Sequence, residues 1–192
     1  MTINVTWLSH ACLLIDTGDA TLLVDPFITG NPLAPIAPDA IQADYILVSH
    51  GHGDHVGDTV AIAQRTGATV ISNFEIHNWL LAQGVEKAHP QHIGGGFDYP
   101  WGRVKLTIAH HGSGLPDGSY GGMPNGVIVT GNGPEAAEAF GDQERARVLR
   151  ATTTESGSPS PDRERRMTRR LSDGREARGL SGWRHAAGAA RG

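Results

Sequence analysis

Several short apolar segments of the chain are predicted to be β-strands. INVTW alternates polar and apolar residues, as a half-buried strand does. CLLI and TLLVD flank the turn DTGD and are predicted to form the arms of a hairpin. YILVS and ATVIS are continuously apolar, which is typical of strands buried inside a sheet. The sequence therefore predicts a sheet that begins at the N-terminus.

Helical patterns separate the later strands. DTVAIAQRTG and EIHNWLLAQG both have helical spacing and end on a glycine. GRVKLTIAHH then alternates again, and NGVIVTG is predicted to be the next strand. The residues of GRVKLTIAHH predicted to share one apolar face are Val104, Leu106 and Ile108. This alternation of strands and helices predicts an α/β layered fold.

The composition changes near residue 131. Residues 1–130 contain 4 Lys and Arg against 11 Asp and Glu, whereas residues 131–192 contain 12 basic residues, all of them Arg, against 9 acidic residues. Val, Ile, Leu, Met and Phe number only 6 in those last 62 residues, which is too few to build a core. We interpret residues 1–130 as the folded domain and residues 131–192 as an Arg/Gly/Ala-rich tail, which we expect to be disordered.

Length and cysteine content narrow the class of protein. A chain of 192 residues suits one domain with its own core. The single cysteine, Cys12, excludes a disulfide within the chain, and the N-terminal sequence lacks the basic segment and cleavage site of a secretory signal. No apolar segment approaches the roughly 20 residues of a transmembrane helix. We expect a cytoplasmic protein with no membrane role.

The segment ILVSHGHGDHVGDTV places three histidines and an aspartate directly after a predicted buried strand: His50, His52, Asp54 and His55. Alternate residues of an extended loop project to the same side, so the first two histidines can reach one ion and the last two residues a second. Imidazole nitrogen and carboxylate oxygen suit Zn²⁺, and also Mn²⁺ or Fe²⁺, better than Ca²⁺ or Mg²⁺. The alternative is a polar surface loop without a function, which the density of ligand residues disfavours. The segment predicts a transition-metal site with up to two ions.

SHGHGDHVG matches the His-x-His-x-Asp-His signature of the metallo-β-lactamase superfamily. Three further segments resemble its branch of metal-dependent hydrolases related to ascorbate-6-phosphate lactonase: INVTWLSHACLLID, LLVDPF and HHGSGLPDGSYGGMPNG. The resemblance covers about residues 1–130. It implies an αββα sandwich with the metal site at one edge, whose first half is recognisable here and whose second half is missing or replaced. It also implies that a metal-bound hydroxide attacks an ester, lactone, thioester or phosphodiester.

The same resemblance implies a role for each residue of the cluster. His50 and His52 would bind the first metal, and Asp54 and His55 the second. A further histidine ligand should lie in TIAHHGSG, where the family pattern favours His111 over His110 without deciding between them. Asp54 is also the candidate catalytic residue, since its carboxylate could hold or accept the proton of the attacking water.

Other polar residues are open to two interpretations. Asp25 in VDPF resembles the family aspartate that hydrogen bonds to ligand histidines, but a strand-end aspartate capping a turn explains it equally well. His10 lies where the branch also has a histidine near the metal pocket. A histidine flanked by apolar residues is more often a hydrogen-bonded core residue, so we leave His10 out of the ligand set. His77 is predicted on a helix face, and His89 and His92 in a loop where His92 could contact a substrate.

The charge of residues 1–130 bears on the substrate. Nucleases of the superfamily need a basic surface to hold the phosphate backbone, and these residues are acidic. We therefore expect a small metabolite as substrate and do not expect nucleic acid. The glycines Gly94–Gly96 lack the lysine and helix that follow a phosphate-binding loop.

Beyond residue 131 the chain lacks two motifs of the family, the aspartate that bridges the metals and the final histidine, and His185 stands in an unrelated Arg/Ala/Gly-rich setting. The tail is a basic extension that could bind a partner, a divergent second half, or the product of a reading-frame change near residue 131. We favour the last interpretation because the family pattern stops within a few residues. The protein is then either a hydrolase or an inactive metal-binding fragment of one.

A missing second half has a consequence for solubility. In the implied sandwich the first sheet packs against the second half of the fold. Without that half, the strands YILVS, ATVIS and GVIVT should expose a large apolar face, and such faces drive association. We therefore expect the chain to self-associate.

Overall fold

The computed structural model of the chain describes residues 3–132 and 149–151. The chain divides into two units, Met1–Ser156 and Gly157–Gly192, and all described residues belong to the first. The predicted tail, 131–192, therefore lies outside the described residues except for residues 131, 132 and 149–151. The interpretations of that tail stay predictions.

The described residues contain ten strands, three α-helices and one 3₁₀-helix. The strands are β1 (Asn4–Trp7), β2 (Leu13–Asp16), β3 (Thr21–Val24), β4 (Tyr45–Leu47), β5 (Thr69–Ser72), β6 (Ala88–Pro90), β7 (Gly96–Tyr99), β8 (Gly102–Ile108), β9 (Asn125–Gly131) and β10 (Leu149–Ala151). The helices are α1 (Gly53–Val56), α2 (Thr59–Thr66) and α3 (Phe74–Ala82), and the 3₁₀-helix spans Pro38–Ala40. None of the helices in these residues is long and apolar enough to cross a membrane.

The first six strands form one mixed sheet in the order β1-β2-β3-β4-β5-β6. β2 pairs antiparallel with both β1 and β3, which confirms the predicted hairpin, and β3 to β6 are parallel to one another. β1 therefore runs in the same direction as β3 and β4. The turn that follows β1 consequently lies at the same edge of the sheet as the segments that follow β3 and β4.

The last four strands form a second, antiparallel sheet in the order β10-β9-β8-β7. Side chains of β4 and β5 alternate between the two faces of the first sheet, as the period of a strand requires. Ile46 and Val70 pack in the core cluster that contains residues of α2 and α3, whereas Leu47 and Ile71 pack in the cluster that contains residues of the second sheet. The described residues thus form three layers, helices on one sheet and that sheet on another. The predicted α/β layered fold is confirmed.

The predicted exposed apolar face is wrong. Residues of YILVS and ATVIS that face the second sheet are buried, with Leu47 fully inaccessible. Residues of GVIVT, in the second sheet, are buried against the first, with Val127 only 4% exposed. The physical reason is that β7, β8 and β9 fold back over the first sheet and supply its cover from residues 96–131. Fully burying each such aliphatic side chain contributes about 1.5–3 kcal/mol. The expected self-association loses this support.

Two smaller predictions also need correction. Ile108 does not share the buried face of Val104 and Leu106, because it ends β8 and is 57% exposed. His89 lies in β6 rather than in a loop, and β7 was not predicted at all. Neither AHP nor GFDY shows the apolar alternation of a strand, so pairing with a neighbouring strand decided their conformation.

Candidate metal centre

The histidine segment lies at the C-terminal ends of parallel strands, where sites in α/β sheets commonly form. His50 follows β4 by three residues and is buried, at 2% exposed. His52 is the N-cap residue of α1, and Asp54 and His55 lie within that helix. The extended loop therefore turns into a helix between the two parts of the predicted cluster.

The end of α1 is fixed against the loop that follows β3. Gly57 has a φ of 40°, and a Cβ atom at this position would collide with the carbonyl oxygen of Pro26. The amide of Asp58 donates to that same carbonyl at 2.9 Å, and its carboxylate accepts from the amides of Ile28 and Thr29 at 3.0 and 2.8 Å. Only glycine allows this approach, which sets the position of Asp54 and His55 relative to β3.

Three histidines form a first group. One ligand nitrogen from each of His50, His52 and His111 lies within 4.8 Å of the other two. Nε2 of His50 is 3.2 Å from Nδ1 of His52, and the rings of His50 and His111 are 4.7 Å apart. The structure thus places His111 in this group, whereas His110 is exposed and belongs to neither group found in the described residues.

A second group combines Asp54 and His55 with His10, again with one ligand atom from each within 4.8 Å of the others. Nε2 of His10 is 3.5 Å from Oδ2 of Asp54, and the rings of His10 and His55 are 5.0 Å apart. Sequence reasoning left His10 out. The signal that could have found it is the predicted pairing of CLLI with TLLVD, because in an antiparallel pair the start of CLLI, which follows His10, lies beside the end of TLLVD. That end is at the same sheet edge as the histidine segment.

Asp25 connects the two groups by hydrogen bonds, directly to His55 and through Ser49 to His50. It is fully buried at the end of β3, and its Oδ2 lies 2.9 Å from Nδ1 of His55. The same oxygen accepts from the hydroxyl of Ser49 at 2.6 Å, and Oδ1 accepts from the Ser49 amide at 2.8 Å. Of its two interpretations, the geometry supports the hydrogen bond to a ligand-type histidine.

Ser49 carries this contact on to the first group. Its hydroxyl lies 2.9 Å from Nδ1 of His50. The Ser49 hydroxyl has one proton, which it donates in its hydrogen bond to Asp25. The Ser49 oxygen therefore accepts the hydrogen bond from Nδ1 of His50. Nε2 of His50 is then the nitrogen with a free lone pair. The amide and side-chain NH₂ of Asn125 both donate to the Ser49 carbonyl, at 3.0 and 2.8 Å, which ties this residue to β9.

The first group keeps its most buried histidine, His50, in the neutral form. Burial, helped by the three neighbouring histidines, lowers the pKa of His50 to about 3, although the Asp54 carboxylate opposes the shift. The ring is therefore neutral at pH 7, and neutral imidazole is the form that binds a metal. The donor set, imidazole nitrogens in one group and imidazoles with a carboxylate in the other, fits Zn²⁺, Mn²⁺ or Fe²⁺.

The loop that carries His111 is held by hydrogen bonds at its base. The hydroxyl of Ser113 accepts from the Gly51 amide at 3.0 Å and donates to the Gly121 carbonyl at 2.8 Å. The side-chain NH₂ of Asn73 donates to the same carbonyl at 2.7 Å and to that of Met123 at 3.2 Å. These bonds fix the His111 loop to the His50–His52 segment and to the start of α3.

An open groove of about 470 Å³ lies beside His111. Three exposed apolar or aromatic side chains line it: Ile108, Tyr120 and Met123. His77, His89 and His92 belong to neither group of metal-ligand residues in the described part of the chain. His77 lies in α3, as predicted, with its ring 6.1 Å from that of Phe74.

Comparison with known proteins matches residues 4–118 to a family described as Beta-lactamase superfamily domain. A UPF0173 metal-dependent hydrolase of Heliobacterium modesticaldum is 51% identical over 140 residues, which is 71% of this chain and 58% of the relative. One of Carboxydothermus hydrogenoformans is 54% identical over 132 residues, covering 68% of this chain and 58% of the relative. The chain therefore spans a little under three fifths of the length of these relatives.

Among solved structures, the metallo hydrolase Igni18 of Ignicoccus hospitalis superposes with a TM-score of 0.61 at 26% identity, over 74% of this chain and 67% of that one. A possible metal-dependent hydrolase from Veillonella parvula superposes with a TM-score of 0.56 at 18% identity, over 88% of this chain and 68% of that one. The second likeness concerns the fold alone. Both agree with the layered architecture of the described residues.

Proposed function

The chain belongs to the metallo-β-lactamase superfamily, and on that premise we propose that it is a metal-dependent hydrolase of an ester, lactone or phosphoester bond in a small metabolite. Its curated relatives are named metal-dependent hydrolases, and those relatives are longer than this chain. The bond that is cleaved, the choice among Zn²⁺, Mn²⁺ and Fe²⁺, the likeness to ascorbate-6-phosphate lactonase and the cytoplasmic location stay predictions.

The observation that carries the proposal is the pair of adjacent groups at one sheet edge. His50, His52 and His111 would hold one ion, and Asp54 and His55 belong to the position of the second. A transition metal held by these residues would lower the pKa of coordinated water and polarise a substrate oxygen, which is the chemistry that hydrolysis at neutral pH needs.

The residues around the ligands have separate tasks. Asp25 and Ser49 orient His55 and His50 by hydrogen bonds and leave the opposite ring nitrogens free. Asp54 has a side chain that is 49% exposed, so its carboxylate can both face an ion and exchange a proton with solvent. We assign to Asp54 the acceptance of the proton of the attacking water.

The groove beside His111 supports a small-molecule substrate. Its side chains Ile108, Tyr120 and Met123 offer apolar and aromatic contacts next to the ligand groups. Ligand sites typically combine such apolar walls with a few polar groups that fix orientation. The groove would therefore hold the part of the substrate that does not react.

Hydrolysis of simple chromogenic substrates tests this function. The full chain, stripped with a chelator, should not hydrolyse p-nitrophenyl acetate, a γ-lactone or bis-p-nitrophenyl phosphate, and added Zn²⁺ or Mn²⁺ should restore turnover of at least one. His52→Ala should lower kcat/KM by about 100-fold or more, because it removes a residue of the first group. His77→Ala is the matched control, since this histidine lies on α3 outside both groups.

A second candidate function is metal binding without turnover. It is favoured by the sequence after residue 131, in which the bridging aspartate and final histidine motifs implied by the family resemblance are not found. Under this alternative the chain binds metal but hydrolyses none of the three substrates with any of the ions. Turnover that survives chelation, or that is unchanged in His52→Ala, would also contradict the hydrolase proposal, because it would show that hydrolysis does not depend on the metal.

A further inference from the structure

We propose that His10 is a ligand of the second metal position and completes, with Asp54 and His55, a group supplied wholly by residues 10–55. This inference rests on the proposed metal binding of the chain. It assigns to this position a third protein ligand that precedes the histidine segment in sequence. The position then does not depend on the aspartate and histidine motifs that the sequence beyond residue 131 lacks.

The first support is the place of His10 in the fold. The turn between β1 and β2 lies at the sheet edge where β3 and β4 end, because β1 runs parallel to them. His10 Nε2 reaches within 3.5 Å of Oδ2 of Asp54 across this edge. Its ring also lies 5.0 Å from that of His55, so the three ligand atoms surround one space.

The second support is the backbone of the turn. Ser9 and His10 both have positive φ, at 86° and 52°, in a conformation that favours glycine. Two consecutive left-handed residues with side chains are disfavoured, and they persist where the surrounding structure holds them and where a function needs the side chain. Left-handed geometry here turns the chain sharply between two paired strands and leaves the imidazole close to Asp54 and His55 of α1.

Hydrogen bonds hold this turn in place. The indole of Trp7 donates to the His10 carbonyl at 2.9 Å. The amide of Cys12 donates to the Ser9 carbonyl at 3.0 Å, and the amide of Leu8 donates to the Cys12 carbonyl at 2.9 Å. The position of His10 is therefore fixed before any ion binds, which lowers the entropic cost of coordination.

The third support is the environment of the ring. The His10 side chain is 38% exposed, so it is not the core residue that the flanking apolar sequence favoured. Its only aromatic neighbour in the described residues besides His55 is Phe27, whose ring lies edge-on at 5.6 Å. An apolar contact on one side and an Asp–His pair on the other leave Nε2 directed at the ligand group.

The ligand chemistry agrees with this assignment. Two imidazoles and one carboxylate are a common three-residue set for a catalytic transition metal, with a further coordination position open to water or substrate. Nδ1 of His55 is already hydrogen-bonded to Asp25, which leaves Nε2 of His55 for the ion. The group thus has the number and kind of ligands that a second ion requires.

The test measures metal binding by the full chain rather than activity. Metal-free protein is titrated with Co²⁺ while its visible absorption is followed, and bound Zn²⁺ is counted by mass spectrometry after desalting. The wild-type chain should bind two ions in two phases. His10→Gly and His10→Asn should keep the first phase and weaken the second by about 10-fold or more.

The choice of variants separates ligation from folding. Glycine and asparagine both tolerate the left-handed conformation, so neither substitution strains the turn. Ser9→Gly is the matched control, because it relaxes the same turn, leaves His10 in place and should bind both ions as the wild type does. Circular dichroism of the metal-free proteins checks that all variants fold.

The outcomes distinguish this inference from the proposed function. A wild-type chain that binds only one ion, or His10 variants that bind the second ion as tightly as wild type, would overturn the assignment of His10. Metal-dependent hydrolysis by a protein with one ion would overturn it while the proposed function stands. Two bound ions, the second bound more weakly in both His10 variants, with no turnover of any of the three substrates, would support the assignment while the hydrolase proposal fails.

Discussion

Replacing Asp25 by asparagine tests how the buried carboxylate supports both groups of metal-ligand residues. Asp25 has a φ of 42°, and asparagine tolerates this left-handed conformation, so the substitution keeps both shape and backbone. The carboxylate accepts three hydrogen bonds, from the Ser49 amide on Oδ1 and from the Ser49 hydroxyl and His55 on Oδ2. Asparagine has one acceptor oxygen in place of two. Whichever way its amide turns, at least one buried donor then faces an NH₂ group.

The magnitude follows from that count. A buried donor left without an acceptor costs about 1–3 kcal/mol, so we expect Asp25→Asn to lower the free energy of unfolding of the metal-free chain by at least this amount. His55 and, through Ser49, His50 also lose their orientation. Loss of such supporting hydrogen bonds typically weakens metal affinity by about 10–100-fold, and we expect weakening at both positions.

Two measurements check this prediction. Urea unfolding in the presence of a chelator gives the loss of stability, and competition with a chromophoric chelator gives the affinity for Zn²⁺. Asp39→Asn is the control, since Asp39 is exposed on the 3₁₀-helix and makes no side-chain hydrogen bond within the described residues. If Asp25→Asn unfolds and binds Zn²⁺ as Asp39→Asn does, the reasoning from buried hydrogen bonds is refuted.

Three further predictions concern the buried thiol, the close approach at Gly57 and the choice between His110 and His111. Burial, with two nearby carboxylates, raises the pKa of Cys12 to about 12, so the thiol stays protonated at pH 8. It should therefore resist iodoacetamide until urea unfolds the chain. Rapid labelling of the native protein would contradict the burial of this residue. Gly18→Ala should lower the free energy of unfolding by roughly 1 kcal/mol, because Gly18 has a positive φ. Gly57→Ala should lower it by more, because Gly57 also has a positive φ and its new Cβ would collide with a backbone carbonyl. Equal unfolding midpoints for these two variants would show that the close approach does not matter. His111→Ala should abolish the tighter Co²⁺ phase, whereas His110→Ala should leave it intact; the reverse result would exchange their roles.

The sequence determined most of the local structure in residues 3–132. Apolar alternation and continuous apolar runs located β1 to β5, β8 and β9, and helical spacing with a final glycine located α2 and α3. Periodicity succeeds for these elements because each has one face that must be buried. β6 and β7 have no such pattern, with Pro90 in one and Gly96 in the other, and they are strands because neighbouring strands satisfy their backbone hydrogen bonds. Sequence alone therefore did not reveal that the second sheet begins before residue 100.

The residues of the candidate site also fall into those that the sequence could identify and those that only the tertiary structure brings together. His50, His52, Asp54 and His55 could be identified from sequence because they lie within six residues, so local geometry alone brings them together. His10 and His111 are distant from them along the chain, and only the parallel course of β1, β3 and β4 and the hydrogen bonds of the His111 loop place their rings at the same edge. The sequence could show which chemistry the segment offers. Which residues from elsewhere join it was decided by tertiary packing, because distances between separate loops depend on how strands pair and not on any pattern within a loop.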